Sequence, residues 1–147
     1  MNLDNYFKKV YTVAFRLTGD ENKAANLAYN AISSSYYTLN VGDKVDSNML
    51  NNTAKEVCRL FLTESDKGNE IFRRFENKTF DDSFQEALMS LNPLCRTMIV
   101  WRDVLGRNLV EMNITKHTKQ ELYLELNNAR RLMKNFLNES YINETGA

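Results

Sequence analysis

The sequence predicts an all-α protein of two small helical domains joined by a linker, the second domain a helix-turn-helix. Three observations carry that prediction. Apolar residues recur at three- and four-residue spacing along nearly every segment, as in helices with one buried face. No strong run alternates apolar and polar with a period of two, so nothing reads as a half-buried strand. One proline and five glycines in 147 residues leave room for long uninterrupted helices. The content of 43% hydrophobic and 26% charged residues is ordinary for a soluble globular chain.

The first domain is expected over residues 1–62, as three helices. Phe7, Val10, Ala14 and Leu17 line one face of a helix from Leu3 to Leu17, with Tyr6, Tyr11 and Phe15 widening it. Gly19 breaks it, and Asp20 is a natural cap for a second helix from Glu21 to about Tyr37. Ala24, Leu27, Ala28, Ala31 and Ile32 give that helix a small-residue face for close packing. Leu39 to Asp46 reads as a loop. Ser47 is the expected cap of a third helix whose stripe is Leu50, Ala54, Val57, Cys58 and Phe61. The aromatics of this half, at helical spacing, read as core, except that adjacent Tyr36 and Tyr37 cannot both face inward. Residues 63–81 are polar, of mixed charge, and read as a linker with one apolar patch, Ile71, Phe72 and Phe75, broken by Arg73 and Arg74.

The second domain is expected over 82–138, followed by a flexible tail at 139–147. Phe84, Ala87, Leu88 and Leu91 share a helix face. Asn92-Pro93 punctuates, with Pro93 suited to the first turn of the next helix. That helix, Pro93 to Leu105, carries Met98, Ile99, Trp101 and Leu105, and Gly106 supplies a left-handed residue to end it. Asn108 caps a short helix over Leu109 to Asn113. Thr118 and Glu121 form a capping box for the last helix, with a stripe of Leu122, Leu126, Ala129, Met133 and Leu137. Two short helices and a longer one on tight links suggest the helix-turn-helix.

Little in the chain suggests enzymatic chemistry. His117 is the only histidine and falls in a polar link. There is no HExxH, no CxxC and no Gly-rich phosphate loop. Asp81-Asp82 and Asp103 lack ligand-like spacing, so neither a metal nor another cofactor is expected. Cys58 and Cys95 sit in helical apolar patterns and read as reduced core residues of a cytoplasmic protein. No apolar run approaches the ~20 residues that span a bilayer, and Met1 to Lys9 lacks the basic-then-apolar order of a signal peptide. Basic and acidic residues balance at 19 each, which argues against strong non-specific nucleic-acid binding. Residues 84–137 nevertheless hold eight Lys/Arg against five Asp/Glu, a balance that permits DNA contact.

Several segments, in this order, resemble bacterial RNA polymerase sigma factors of the compact, two-domain, extracytoplasmic-function kind. They are Val13-Ala-Phe-Arg-Leu-Thr-Gly-Asp20, then Lys23-Ala-Ala-Asn-Leu-Ala-Tyr-Asn-Ala-Ile32, then Met49-Leu50 with Ala54. Glu86-Ala-Leu-x-x-Leu-x-Pro-x-x-Arg96, Val100-Trp-Arg-Asp-Val104 with Gly106, and Leu126-x-x-Ala129-Arg130 complete the series. The resemblance covers most of the chain. It implies a first domain that binds the polymerase core and engages the non-template strand, and a second that reads the upstream promoter element. Its residue-level implications are polymerase contact by Ala25, Asn26 and Tyr29, and DNA contact by Lys55 and Arg59, with Met49, Asn51 and Asn52 alongside. On the last helix it implies DNA contact by Lys119, Gln120, Tyr123, Asn127, Arg130, Arg131 and Lys134. Polymerase core and promoter DNA are the expected partners, with an anti-sigma-like protein as a third; no membrane and no small-molecule substrate are expected.

The departures from the family fall on surfaces. Ala25, Asn26 and Tyr29 stand where the family offers an acidic pair and a glutamine. Met49 replaces an aromatic, and the basic residues along the third helix reduce to Lys55 and Arg59 around Glu56. The Met112–Thr118 link is one residue short and polar where the family has glycine. Glu121 and Glu125, expected exposed on the last helix, oppose phosphate, so duplex binding is expected to be weaker than ~micromolar. The alternative to an active sigma factor is therefore a degenerate sigma-like adaptor or regulator that works through protein contacts, with little or no promoter recognition.

Overall fold

The computed structural model describes residues 1–36, 45–66 and 82–144. Among them every regular element is helical, so the protein is all-α. Tyr37, the loop residues 39–44, and the linker stretch 67–81 with Ile71, Phe72, Arg73, Arg74, Phe75 and Asp81 lie outside the described residues. The chain divides into two compact units, Met1–Phe72 and Arg73–Ala147.

The first unit packs three helices: α1 (Leu3–Thr18), α2 (Glu21–Tyr36) and α3 (Ser47–Asp66). Asn2 caps α1 by accepting from the Asn5 N–H at 2.8 Å. Gly19, at φ 65°, closes α1 with a bond from its N–H to Phe15 O. Asp20 then caps α2 through its carboxylate and the Lys23 N–H, 3.0 Å apart. Asp46, one residue before the expected Ser47, caps α3 by accepting from the Met49 N–H at 2.9 Å. Its carboxylate is the stronger acceptor and favours the positive end of the helix dipole. The third helix also runs on to Asp66, past the expected end at 62.

The core of this unit joins Tyr6, Val10, Val13, Ala14 and Leu17 of α1 to Ala24, Leu27, Ala28 and Ala31 of α2. Leu50, Ala54, Val57, Cys58 and Phe61 of α3 complete it. Each large side chain so buried contributes about 1.5–3 kcal/mol. The buried Tyr6 hydroxyl hydrogen-bonds Thr53 Oγ1, so neither polar group is left unsatisfied. The α1 face differs from the expected one, because Phe7 is 40% and Tyr11 36% exposed. The alanine face of α2 admits a close neighbour, and the Val10, Val13 and Ala14 side of α1 fits it. The bulkier Leu3, Phe7 and Tyr11 side is left on the rim.

In the second unit Asp82 caps α4 (Ser83–Met89), and Asn92 with Pro93 opens α5 (Pro93–Ile99). One wider π turn over Val100–Val104 continues α5. Gly106, at φ 70°, ends it, and the Arg107 N–H reaches back to Trp101 O at 3.1 Å. The Trp101 ring is fully buried and its Nε1–H donates to Asn108 O at 2.9 Å.

Asn108 is a cap, as its sequence position suggests, but Leu109–Glu111 is a single 3-10 turn where a short helix was expected. Asn113 takes a left-handed φ of 39° and stops helix growth. The helix expected first in a helix-turn-helix is thus one turn long. Thr118 and Glu121 form the expected capping box at the start of α6 (Lys119–Glu144): Thr118 Oγ1 accepts from the Glu121 N–H at 3.2 Å, and Glu121 Oε1 from the Thr118 N–H at 3.4 Å. Leu122, Leu126, Ala129 and Met133 are buried and Leu137 half-buried, and α6 packs chiefly on α5 and α4. The helix continues to Glu144, six residues past the expected end at 138.

Candidate contact surfaces

Arg96 is 3% exposed, so the most sequence-specific basic residue of the second unit holds the fold together and offers nothing to a ligand. Its Nε donates to Leu88 O at 3.0 Å, and its Nη2 to Leu91 O at 2.9 Å and Met89 O at 3.4 Å. The Leu-x-Pro-x-x-Arg spacing therefore wraps a guanidinium around the C-terminal carbonyls of α4, where the helix dipole favours a cation. Burial lowers its pKa to about 10, which leaves it charged at neutral pH.

On α2, the residues carried over as polymerase contacts lie side by side on the outer face. Ala25 and Asn26 are exposed, and Tyr29 is 71% exposed. Asn22, Asn30, Ser33 and Ser34 surround them, all exposed, so this face carries no charge from Asn22 to Ser34 apart from half-buried Lys23 at its edge. It offers amides, hydroxyls and one protruding aromatic ring.

On α3, Lys55 and Arg59 stand one turn apart, but they are not two free cations. Arg59 Nε donates to Glu56 Oε2 at 2.9 Å and its Nη2 donates to Oε1. The Arg59 hydrogen bonds lower the Glu56 pKa, and the same pair raises that of Arg59. Lys55, Met49 and Asn51 are half-buried and Asn52 is exposed. The Asn51 Oδ1 is buried with no hydrogen-bond partner.

On α6, Lys119, Gln120, Tyr123, Asn127, Arg130, Arg131 and Lys134 are all exposed. Three of the four cations among them are engaged within the chain. Arg130 clamps Asp103, its Nε 3.0 Å from Oδ2 and its Nη2 on Oδ1. Arg131 Nη2 donates to Asn128 Oδ1 at 2.6 Å, and Lys119 Nζ lies 5.9 Å from the centre of the Tyr123 ring. Only Arg130 has its charge balanced; Lys119 and Arg131 keep theirs.

Of the two glutamates expected exposed and opposed to DNA, Glu121 is exposed and Glu125 is not. The Glu121 carboxylate is folded back into the capping box. Glu125 is half-buried and not outward, and its Oε2 accepts from Cys95 Sγ at 3.4 Å. Desolvation, with Glu125 adding to it, raises the Cys95 thiol to about 11; burial raises Cys58 to about 12. Both are free, protonated core thiols. The residue missed on this helix is Leu124, 69% exposed. It lies four residues after Gln120 and three before Asn127, opposite the buried stripe, so its place was readable from helical spacing alone.

Among the described residues no helix is long and apolar enough to cross a membrane, and no group of His, Cys, Asp and Glu side chains is placed to hold a metal ion. No protein-family model matches the chain, and no curated protein matches it in sequence.

Proposed function

We propose that the protein is a sigma-factor-like transcription initiation protein, attached to RNA polymerase core by its first unit and directing it to promoter DNA with its second. One observation supports this most. The polymerase contacts that the resemblance assigns, Ala25, Asn26 and Tyr29, lie together on one exposed face of α2, and four of the DNA contacts that it assigns in the second unit, Lys119, Gln120, Tyr123 and Asn127, on one exposed face of α6. The buried positions, Arg96 and Trp101 included, carry the fold. Such a protein works in the cytoplasm and catalyses nothing itself.

A second reading, an adaptor that binds the polymerase with little promoter recognition, is favoured by a specific feature. Arg59 and Arg130, both expected on DNA, are held by Glu56 and Asp103. Pull-down of core polymerase with the full chain, then run-off transcription with the reconstituted mixture, separates the two. Capture with promoter-dependent transcripts supports the first reading; capture without transcripts supports the adaptor; no capture refutes both. Because the α2 face is nearly free of charge, capture should weaken only mildly between low and moderate salt. A steep loss would place the polymerase contact elsewhere, such as on Lys8 and Lys9 of α1.

A further inference from the structure

We infer that the outward stripe of α6 is a reader of A·T-rich duplex DNA, with Leu124 packing on a thymine methyl in the major groove. This rests on the promoter-binding part of the reading above and specifies its target. Gln120, Leu124, Asn127 and Arg131 succeed one another at four-, three- and four-residue intervals. They therefore fall on one line, opposite the buried Leu122, Leu126, Ala129 and Met133. All four are exposed.

Their chemistry is one-sided. A Gln or Asn amide matches adenine, which offers an acceptor and a donor on its major-groove edge, and an apolar side chain matches the thymine methyl. Guanine is matched by Arg or Lys, and the first half of the stripe has neither. Lys119 leans over Tyr123, and Arg130 is closed on Asp103, to one side of the stripe. Arg131, at the stripe's far end, with Lys134 and Lys119 on its flank, is placed to hold phosphates.

Charge complementarity points to DNA as the occupant. Neither acidic side chain of the first four turns of α6 lies on this stripe: Glu121 is exposed but tied to the Thr118 N–H in the cap, and Glu125 is half-buried against Cys95. What the stripe itself presents is two neutral amides, one leucine and, at its far end, the Arg131 cation. A partner protein would also accept the exposed leucine, and the test separates it.

The full chain, alone and bound to core polymerase, is used to select from a pool of duplexes with a randomised central segment. The winning duplex is then remade with each thymine replaced by deoxyuridine, which removes only the methyl group. A·T-rich winners are expected. One thymine-to-uracil change should weaken wild type about fourfold, the worth of one buried methyl-sized group. Leu124→Ala should be insensitive to that same change. Leu124 is largely exposed, so the variant should keep its helical circular dichroism, and a folded variant makes the comparison valid. G·C-rich winners, winners without sequence preference, or equal uracil sensitivity in both proteins overturn the inference. No duplex binding with polymerase capture intact also overturns it and favours the adaptor. Loss of both would sink the sigma-like reading as well.

Discussion

Replacing Arg96 by methionine should cost the second unit most of its stability. The guanidinium, buried and charged, donates to the carbonyls of Leu88, Met89 and Leu91. Methionine fills much of the volume but donates nothing, so three carbonyls at and just after the end of α4 lose a charged partner. Hydrogen bonds to a charged group contribute about 1.5–3 kcal/mol each, and these three share one group. The expected loss is on the order of 3–5 kcal/mol, close to the ~3–5 kcal/mol that a core of this size supplies. Trp101, the only tryptophan in the chain, is fully buried in the same unit, so its fluorescence reports that unit's unfolding. With a urea slope of about 1 kcal/mol per molar, the midpoint should fall by ~3 M or the transition vanish. Arg96→Lys, with charge but no fork, should recover part of the loss. A methionine variant whose midpoint stays within ~0.5 M of wild type would refute the capping role.

Gly106→Ala should destabilise the same unit by about 1–2 kcal/mol through backbone strain alone, because at φ +70° the added Cβ would meet nothing within 4 Å; Gly106→Asn should cost less in the same urea assay. Both thiols should resist disulfide-reagent labelling at pH 8, Cys95 being ionised in only about one molecule in a thousand, and label quickly in denaturant. Their folded pKa values, about 11 and 12, are raised by burial above the unfolded values. The stabilising contribution of the buried neutral thiols is therefore complete below about pH 8.5 and lost as pH rises toward 11 and 12, which thermal melts from pH 7 to 10 would register as falling midpoints. Asp103→Asn should free Arg130, tighten duplex binding and steepen its salt dependence by about one phosphate contact. It should change stability by less than ~1 kcal/mol, since the pair is exposed. Adding Arg130→Ala should cancel the gain in anisotropy titrations; a gain that survives would trace to the lost negative charge alone.

What the sequence made legible was mostly local. Asp20, Asn92, Gly19, Gly106 and the Thr118–Glu121 box act within four residues of themselves, so spacing was enough to place them. The stripes of α2, α3 and α6 were legible for the same reason. On α1 two apolar stripes lie side by side, and periodicity cannot choose between them. The choice fell to the alanine face of α2, a fact about a neighbour. The short helix after Asn108 failed where its cap was right, because a cap starts a helix and only the residues after it sustain it. Asn113 in the left-handed region left too few residues to do so.

Charged side chains were the least legible, and the reason decides how the contact surfaces should be understood. Asp103 meets Arg130 across 27 residues and Cys95 meets Glu125 across 30, so neither pairing could be seen along the chain. A sum over residues 84–137 treats all these charges alike. In the folded unit six of them separate into three groups. Arg96 serves the fold, and Arg130 and Asp103 nearly cancel. Lys119, Arg131 and Lys134 stay exposed on α6. With Glu125 half-buried and Glu121, though exposed, held in the capping box to one side, the outward stripe of α6 is less hostile to DNA than the sequence suggested. The total of available cations is nonetheless smaller than the resemblance implied. Those two corrections act in opposite directions on different terms: fewer cations lower non-specific affinity and its salt slope, while a stripe cleared of acid leaves base contacts unopposed. Under the proposed promoter-binding role, weak binding with an A·T preference is therefore expected over strong, indiscriminate binding.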